Sequence, residues 1–334
     1  AARLGCDTYA SDLNPIACML TWGAFNIVGA SAARRKEIEQ VQSELARKVQ
    51  VEIDALEIEQ DGKGWRAKAY LYCVEVRCPQ SGWMVPLLPS LIISQPRTGE
   101  RNNVIAKLKP SPKLKRYEIQ IMEWASTDDL IQAAKGTVQS GELVHSPDGV
   151  TVYRTKISTL RGDYTDNGQG KNRLRMWEKH DFIPLPDDLY QERLYCIQWI
   201  RPKKDSSRDE YQFRSVTTAD LARERKVNNF IGEHIREWQD KGWIPDMVIE
   251  PGDETERLQK ERGWTHWHHL FNARQLLVIG LVNSSSSIYP KYALSQILNN
   301  VCRSSRWNPV GGGGGHTVGI FDNQALNTLF NYVM

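Results

Sequence analysis

The 334-residue sequence predicts an α/β protein. One strand–helix unit of a doubly wound sheet opens it, a β-rich insert fills its middle, and its C-terminal part is mainly helical. Three observations carry this prediction. Cys6 to Ser11 is a short run of β-branched and small residues that stops at Asp12 and gives way to a helix with an apolar face. From Trp65 onward, aromatic and β-branched residues come in short runs divided by Pro/Gly turns. From about Glu254, helical spacing dominates. The boundaries follow as 1–30, 31–61 for a connecting helix, 62–216 for the insert, and 217–334.

In the first unit, Ala1 to Gly5 reads as the last turn of a helix closed by glycine, so the chain is expected to begin inside a domain. Asn14 is placed to cap the next helix and Pro15 to occupy its first turn. Ile16, Met19, Leu20 and Phe25 form its apolar face. In doubly wound sheets an acid at the end of the second strand takes both hydroxyls of a nucleoside ribose, because a carboxylate accepts two hydrogen bonds side by side. Asp12 holds that place. A turn or helix-capping acid is the other reading of the same residue.

Ser31 to Asp61 carries Ile38, Val41, Leu45, Val49, Ile53 and Leu56 three or four apart, which predicts one long helix breaking near Val51. Arg66–Arg77, Gly82–Ser94, Val104–Lys109, Arg116–Glu123 and Val150–Ser158 read as strands, with a short helix over Thr127–Lys135. Leu194–Ile200 and Tyr211–Val216 are expected to pair. Thr218 then caps a helix that buries Leu221, Phe230, Ile231, Ile235 and Trp238. Adjacent histidines in Trp264–His269 point to different helix faces, so packing is favoured over a metal site. Arg274 and Gln275 stand out nearby. Asn283–Ser287 and Gly311–Gly315 read as linkers, the second lacking the Lys-Ser/Thr of a phosphate-binding loop. A last helix is expected from about Asp322.

Apolar content of 40% and charged content of 25% are those of a soluble globular chain, and no apolar run approaches the roughly 20 residues a membrane helix needs. Six scattered cysteines suit buried thiols in a reducing cytoplasm. Most of the 11 tryptophans are expected in the core or in surface pockets. A net charge of +3 announces no nucleic acid, so any DNA surface must come from local clusters. Lys107, Lys109, Lys113, Lys115 and Arg116 surround a predicted hairpin tip. Arg161, Lys171, Arg173, Arg175 and Lys179 flank the loop Gly162–Gly170, and Arg201, Lys203, Lys204 and Arg208 form a third group. Loops of this kind suit phosphate contacts, and a solvated charged loop is the plainer alternative.

Arg3-Leu4-Gly5 followed by Tyr9-Ala10-Ser11-Asp12-Leu13-Asn14-Pro15-Ile16-Ala17 resembles a stretch of the large prokaryotic adenine-specific DNA methylases. Gln191–Cys196, Leu270–Leu276 and Phe321–Leu326 fall in the order that family shows. The resemblance implies a Rossmann-like methyltransferase sheet interrupted by a long insert, S-adenosylmethionine held at Asp12 with Leu13 and Asn14 beside the adenine, and double-stranded DNA as substrate. It also implies a cytoplasmic enzyme that transfers methyl to the adenine amino group, with phage-defence subunits as possible partners. A non-catalytic module binding DNA or a partner is the alternative, and an NAD-dependent oxidoreductase ranks behind it. Relatives carry zinc knuckles where this chain has Cys78-Pro79-Gln80-Ser81-Gly82 and His145-Ser146-Pro147-Asp148-Gly149. Zinc prefers four soft or borderline ligands. Cys73, Cys78, His145 and Asp148 are the candidates here, and zinc is not expected. The glycine loop and the Asp/Asn-Pro-Pro-aromatic tetrapeptide of amino-methyltransferases are absent from these 334 residues. No catalytic residue is assigned, and the chain alone is expected to be inactive.

Overall fold

The computed structural model describes residues 4–9, 11–96, 102–203, 209–285, 287, 289–311, 314–320, 326 and 328–334. Helix α1 (Pro15–Gly23) runs through a π-helical turn (Ala24–Val28) toward α2 (Ala32–Ala55). Ser31 caps α2 through the N–H of Arg34, and Ile38 and Ile53 are its buried residues. The helix does not break near Val51; it ends at Ala55.

Five strands follow: β1 (Arg66–Arg77), β2 (Met84–Leu87), β3 (Ile92–Ser94), β4 (Val104–Ser111) and β5 (Arg116–Glu123). Helix α3 (Thr127–Ala133) starts at a capping box in which Ser126 and Asp129 satisfy each other's backbone N–H. Next come β6 (Val138–Gln139), β7 (Glu142–His145), β8 (Tyr153–Lys156), α4 (Ile157–Arg161), β9 (Tyr164–Asp166) and β10 (Gln169–Lys171). β11 (Gln191–Arg201) and β12 (Glu210–Ser215) pair as expected, and α5 (Thr218–Asp240) is capped by Thr217 rather than Thr218. The remainder is α6 (Glu256–Arg262), α7 (Ala273–Asn283), α8 (Tyr289–Asn300), β13 (Arg306–Asn308), β14 (His316–Val318) and β15 (Asn331–Val333).

The protein is α/β with one large mixed sheet of order β12-β11-β1-β2-β5-β4-β3. Among the strands of the described residues only β2 and β5 pair in parallel, and the Ile121 N–H donates to Ser215 Oγ at 2.8 Å, which ties β5 to the far strand β12. β1 is central. One edge pairs with β11; the other is shared end to end by β15 and β2. Its residues are buried almost without interruption because both faces are covered. Ala69, Leu71 and Cys73 pack with Ile93, Val104, Phe213 and Trp307, whereas Tyr70 and Tyr72 pack with Trp65, Trp199 and Tyr332.

Of the expectations about the C-terminus, one falls outside the described residues and one changes. Residues 321–325 lie outside the described residues, and Asn331–Val333 is a strand on β1, not the end of a helix. Tyr332 stacks on Tyr72 at 5.1 Å and Val333 is fully buried, so alternate residues fill both faces of the sheet.

A second core joins α5 and α7 to parts of α2, α6 and α8. Gly280 on α7 lies under the Trp238 indole, so closely that a Cβ there would sit 2.1 Å from two ring carbons. Gly280→Ala is therefore expected to cost about 1–3 kcal/mol through overpacking. Urea titration checks this, and adding Trp238→Leu should recover part of the loss.

Candidate functional site

Asp12 lies in an exposed turn. Its Oδ1 accepts the Asn14 N–H at 2.8 Å, and Asn14 Oδ1 accepts the Ile16 N–H at 2.9 Å as the cap of α1. Leu13 is fully exposed. The expected buried strand before Asp12 is corrected: residues 6–9 and 11 form no strand, and Cys6 and Cys18 are exposed. A strand exists only with a neighbour for its N–H and C=O groups, and none pairs with this stretch among the described residues. The helix that follows leaves Ile16, Leu20 and Phe25 at least half exposed and Val28 more so. The apolar face of α1 is thus left largely uncovered.

The basic clusters divide. On the β4–β5 hairpin, Lys107 is 3.3 Å from Asp129, whose carboxyl is held below its usual range by the Ser126 hydroxyl and by Lys107. Lys109 stands opposite Glu118. Arg116 is bound to Glu75. Lys113 and Lys115 flank the exposed Leu114 at the tip, where Lys115 adopts a φ of +45°. In the second cluster, Lys171 pairs with Asp166 at 2.5 Å and Arg161 with Asp163 at 2.7 Å. Arg173 is exposed beside Gly162. Arg175 faces inward, its guanidinium shared between Asp188 at 2.7 Å and Asp181 at 2.5 Å, so it braces a loop rather than facing solvent. In the third group, Arg201 pairs with Glu210, and Lys204 and Arg208 lie outside the described residues. Phosphate attraction requires cations not already neutralised, and most of these are matched by acids.

The two knuckle-like turns face each other although 63 residues separate Gly82 from His145 in the chain. Cys78 O accepts the Gly82 N–H at 2.8 Å, and Gly82 and Gly149 both take the left-handed conformation such tight turns need. Ser81 Oγ lies 3.1 Å from His145 Nε2, and the Tyr117 hydroxyl lies 3.1 Å from its Nδ1. Burial lowers the His145 pKa, which favours the neutral ring. Asp148 accepts the N–H groups of Val150 and Thr151, and these hold its carboxyl down to about 2. Cys73 does not join this group; it packs on the other side of β1, in the cluster with Leu71 and Val104, while Cys78 packs with Val76 and Val85. Among the described residues, no three His, Cys, Asp or Glu side chains are grouped to hold a metal.

Trp264–His269 is not an α-helix but a loop and a 3₁₀ turn. His269 Nδ1 accepts the N–H groups of Thr265 and His266, and its Nε2 donates to Glu178 O at 3.0 Å. The imidazole is thus neutral and structural. Arg274 pairs with Glu224 at 2.6 Å and lies over the Tyr70 ring, while Gln275 completes the capping box of α7.

A groove of about 380 Å³ went unread in the sequence. It lies where β5 and β11 meet α5, and Arg116, Arg193, Tyr195 and Asn228 are among its walls. Arg193 Nη1 donates to Glu75 at 2.7 Å, and Arg116 grips the same carboxylate from the other side. Its one sequence signal is Glu75 itself, an acid inside the apolar run of β1 that ends 1% exposed.

Fold and sites together define an α/β protein built on a mixed sheet, with no helix among the described residues long and apolar enough by itself to cross a membrane. No protein-family model, curated protein or solved structure matches the chain.

Proposed function

We propose that this chain is part of an S-adenosylmethionine-dependent DNA methyltransferase acting on the adenine amino group. Asp12 would hold the cofactor ribose, Leu13 and Asn14 would lie beside the adenine, and residues 62–216 would be an insert in a Rossmann-like sheet. The observation that carries the reading is the meeting of the turns Cys78–Gly82 and His145–Gly149, where Ser81 touches His145. This arrangement is the one expected of a knuckle pair that has lost metal ligands, as the family resemblance implies. The exposed apolar face of α1 adds support, since a helix of a doubly wound sheet needs a sheet to cover it. In such an enzyme the target adenine leaves the duplex stack to meet the methyl donor, because its amino group is otherwise out of reach.

The test has two arms. Labelled S-adenosylmethionine and an adenine-containing duplex should give no transfer with these 334 residues alone, and robust transfer would contradict the assignment. The protein expressed with its flanking coding sequence should bind S-adenosylmethionine calorimetrically. Asp12→Ala should weaken that binding about 10–100-fold, the effect of losing one or two charge-assisted hydrogen bonds. Absence of heat in both proteins would instead favour a non-catalytic module binding DNA or a defence partner, with the exposed tip Lys113-Leu114-Lys115 as its contact.

A further inference from the structure

We propose that the groove between β5, β11 and α5 is a binding site for a small organic or inorganic anion bearing a carboxylate or phosphate group, held by Arg116 and Arg193. The argument begins with charge. Glu75 is 1% exposed and receives both guanidiniums, so two positive charges share one negative charge. The two carboxylates that line the groove are each matched by one arginine: Glu224 by Arg274 at 2.6 Å and Glu192 by Arg303 at 2.5 Å. The groove therefore holds one positive charge in excess.

Geometry agrees with the charge. A guanidinium has five N–H donors in a fixed plane. Glu75 engages Nη1 of Arg193 and the Nε and Nη2 of Arg116, and Arg193 Nη1 also donates to Tyr117 O at 2.8 Å. Each arginine thus has donors beyond those that hold Glu75. Arg116 is 44% and Arg193 20% exposed, so a solute in the groove reaches both. The volume, about 380 Å³, lies within the range of small-molecule sites, roughly 300–1,000 Å³.

Two uncharged polar side chains stand on the groove walls beside the arginines. Tyr195, 5% exposed, lines the same groove. The part-exposed Asn228 side chain lies on the α5 wall. A ligand with an anionic head on the arginines and a polar atom within reach of Tyr195 and Asn228 engages all four. Tyr72, Ile119 and Leu221 offer apolar surface to whatever carries that head.

Thermal-shift titration of the whole chain with sodium phosphate, and separately with sodium acetate, at constant ionic strength tests this. Sodium chloride serves as the control. A saturable rise in melting temperature with phosphate alone identifies a phosphate site, with acetate alone a carboxylate site, and with both a general anion site. Asn228→Asp adds a negative charge on the wall without touching the Glu75 pair, and should weaken the binding about tenfold or more, as like charges a few ångströms apart in a half-wet site do. Tyr195→Phe should weaken it less. No saturable rise with either anion, or a rise that Asn228→Asp leaves unchanged, would overturn the proposal.

Discussion

Replacing Arg303 with Met is expected to destabilise the protein by about 3–5 kcal/mol, the cost of removing one partner from a buried ion pair. Arg303 is 1% exposed and spends its whole guanidinium inside the fold. Nε and Nη2 take the Glu192 carboxylate at 2.5 and 2.8 Å. Nη1 donates to His269 O and Phe271 O, and Nη2 also to Phe182 O, all at 2.6–2.7 Å. Trp177 and Trp264 lie over it. These bonds join four segments distant in sequence: β11, the loop at Phe182, the 3₁₀ turn and the stretch after α8. Methionine restores the bulk but leaves three carbonyls and a carboxylate unpaired. Set against a typical domain stability of 5–15 kcal/mol, the loss removes a large share. Arg303→Lys should recover less than half of it, because one ammonium cannot span Glu192 and three carbonyls. The double variant Arg303→Met/Glu192→Gln should be more stable than Arg303→Met alone, because it no longer buries an unpaired carboxylate. Urea titrations of the four proteins decide. An Arg303→Met variant within about 1 kcal/mol of wild type would show that water replaces the guanidinium without penalty.

The same residue shows where sequence reading stops. Periodicity placed α2, α3, α5 and the β1–β11–β12 strands because each is governed by local alternation and capping chemistry, as at Ser126 and Thr217. Nothing local announces that Arg303 is buried; its five donors are satisfied by residues 30 to more than 120 positions away. Glu75 and its partner Arg193 share that character, so the groove that Arg193 lines was illegible in the chain. β15 was missed for the opposite reason. Its three residues are too few to show a period, and their place is set by an open stretch of β1's edge. The knuckle turns were read from the family resemblance; Gly82 and Gly149 do take the left-handed conformation of tight turns, but the contact between the two turns had no local signal. Asp12 is the hardest case. The pattern around it is a sound local signal, and Asn14 does cap α1, but a strand's pairing depends on neighbours that its own residues do not specify.

Stability should fall by about 4 kcal/mol between pH 7 and pH 5, and two histidines are responsible. His268 and His269 are fully buried. Burial, reinforced by the neighbouring imidazoles and Arg303, lowers the His268 pKa to about 4 and the His269 pKa to about 2. In the unfolded chain each titrates near 6.5. The sign follows from proton counts. Above pH 6.5 both states hold the rings neutral, and pH has no leverage through them. Below it the unfolded chain takes up two protons that the folded chain refuses, so acid favours unfolding by up to about 1.4 kcal/mol per pH unit per ring. The slope from His268 ends near pH 4, where the folded ring also protonates; that from His269 persists to about pH 2. From pH 7 to 5 each ring therefore contributes about 2 kcal/mol. Hydrogen bonding agrees with neutral rings. His269 Nδ1 accepts two backbone N–H groups, which an imidazolium cannot do, and His268 Nδ1 is buried with no partner to receive a proton's charge. His268→Gln keeps a donor for Asp181 O but does not titrate, so the loss from pH 7 to 5 should shrink to about 2 kcal/mol in that variant. Urea unfolding at the two pH values, for wild type and variant, measures both quantities. A wild-type loss below about 1 kcal/mol, or one that His268→Gln leaves unaltered, would mean that the rings become charged without leaving the folded state.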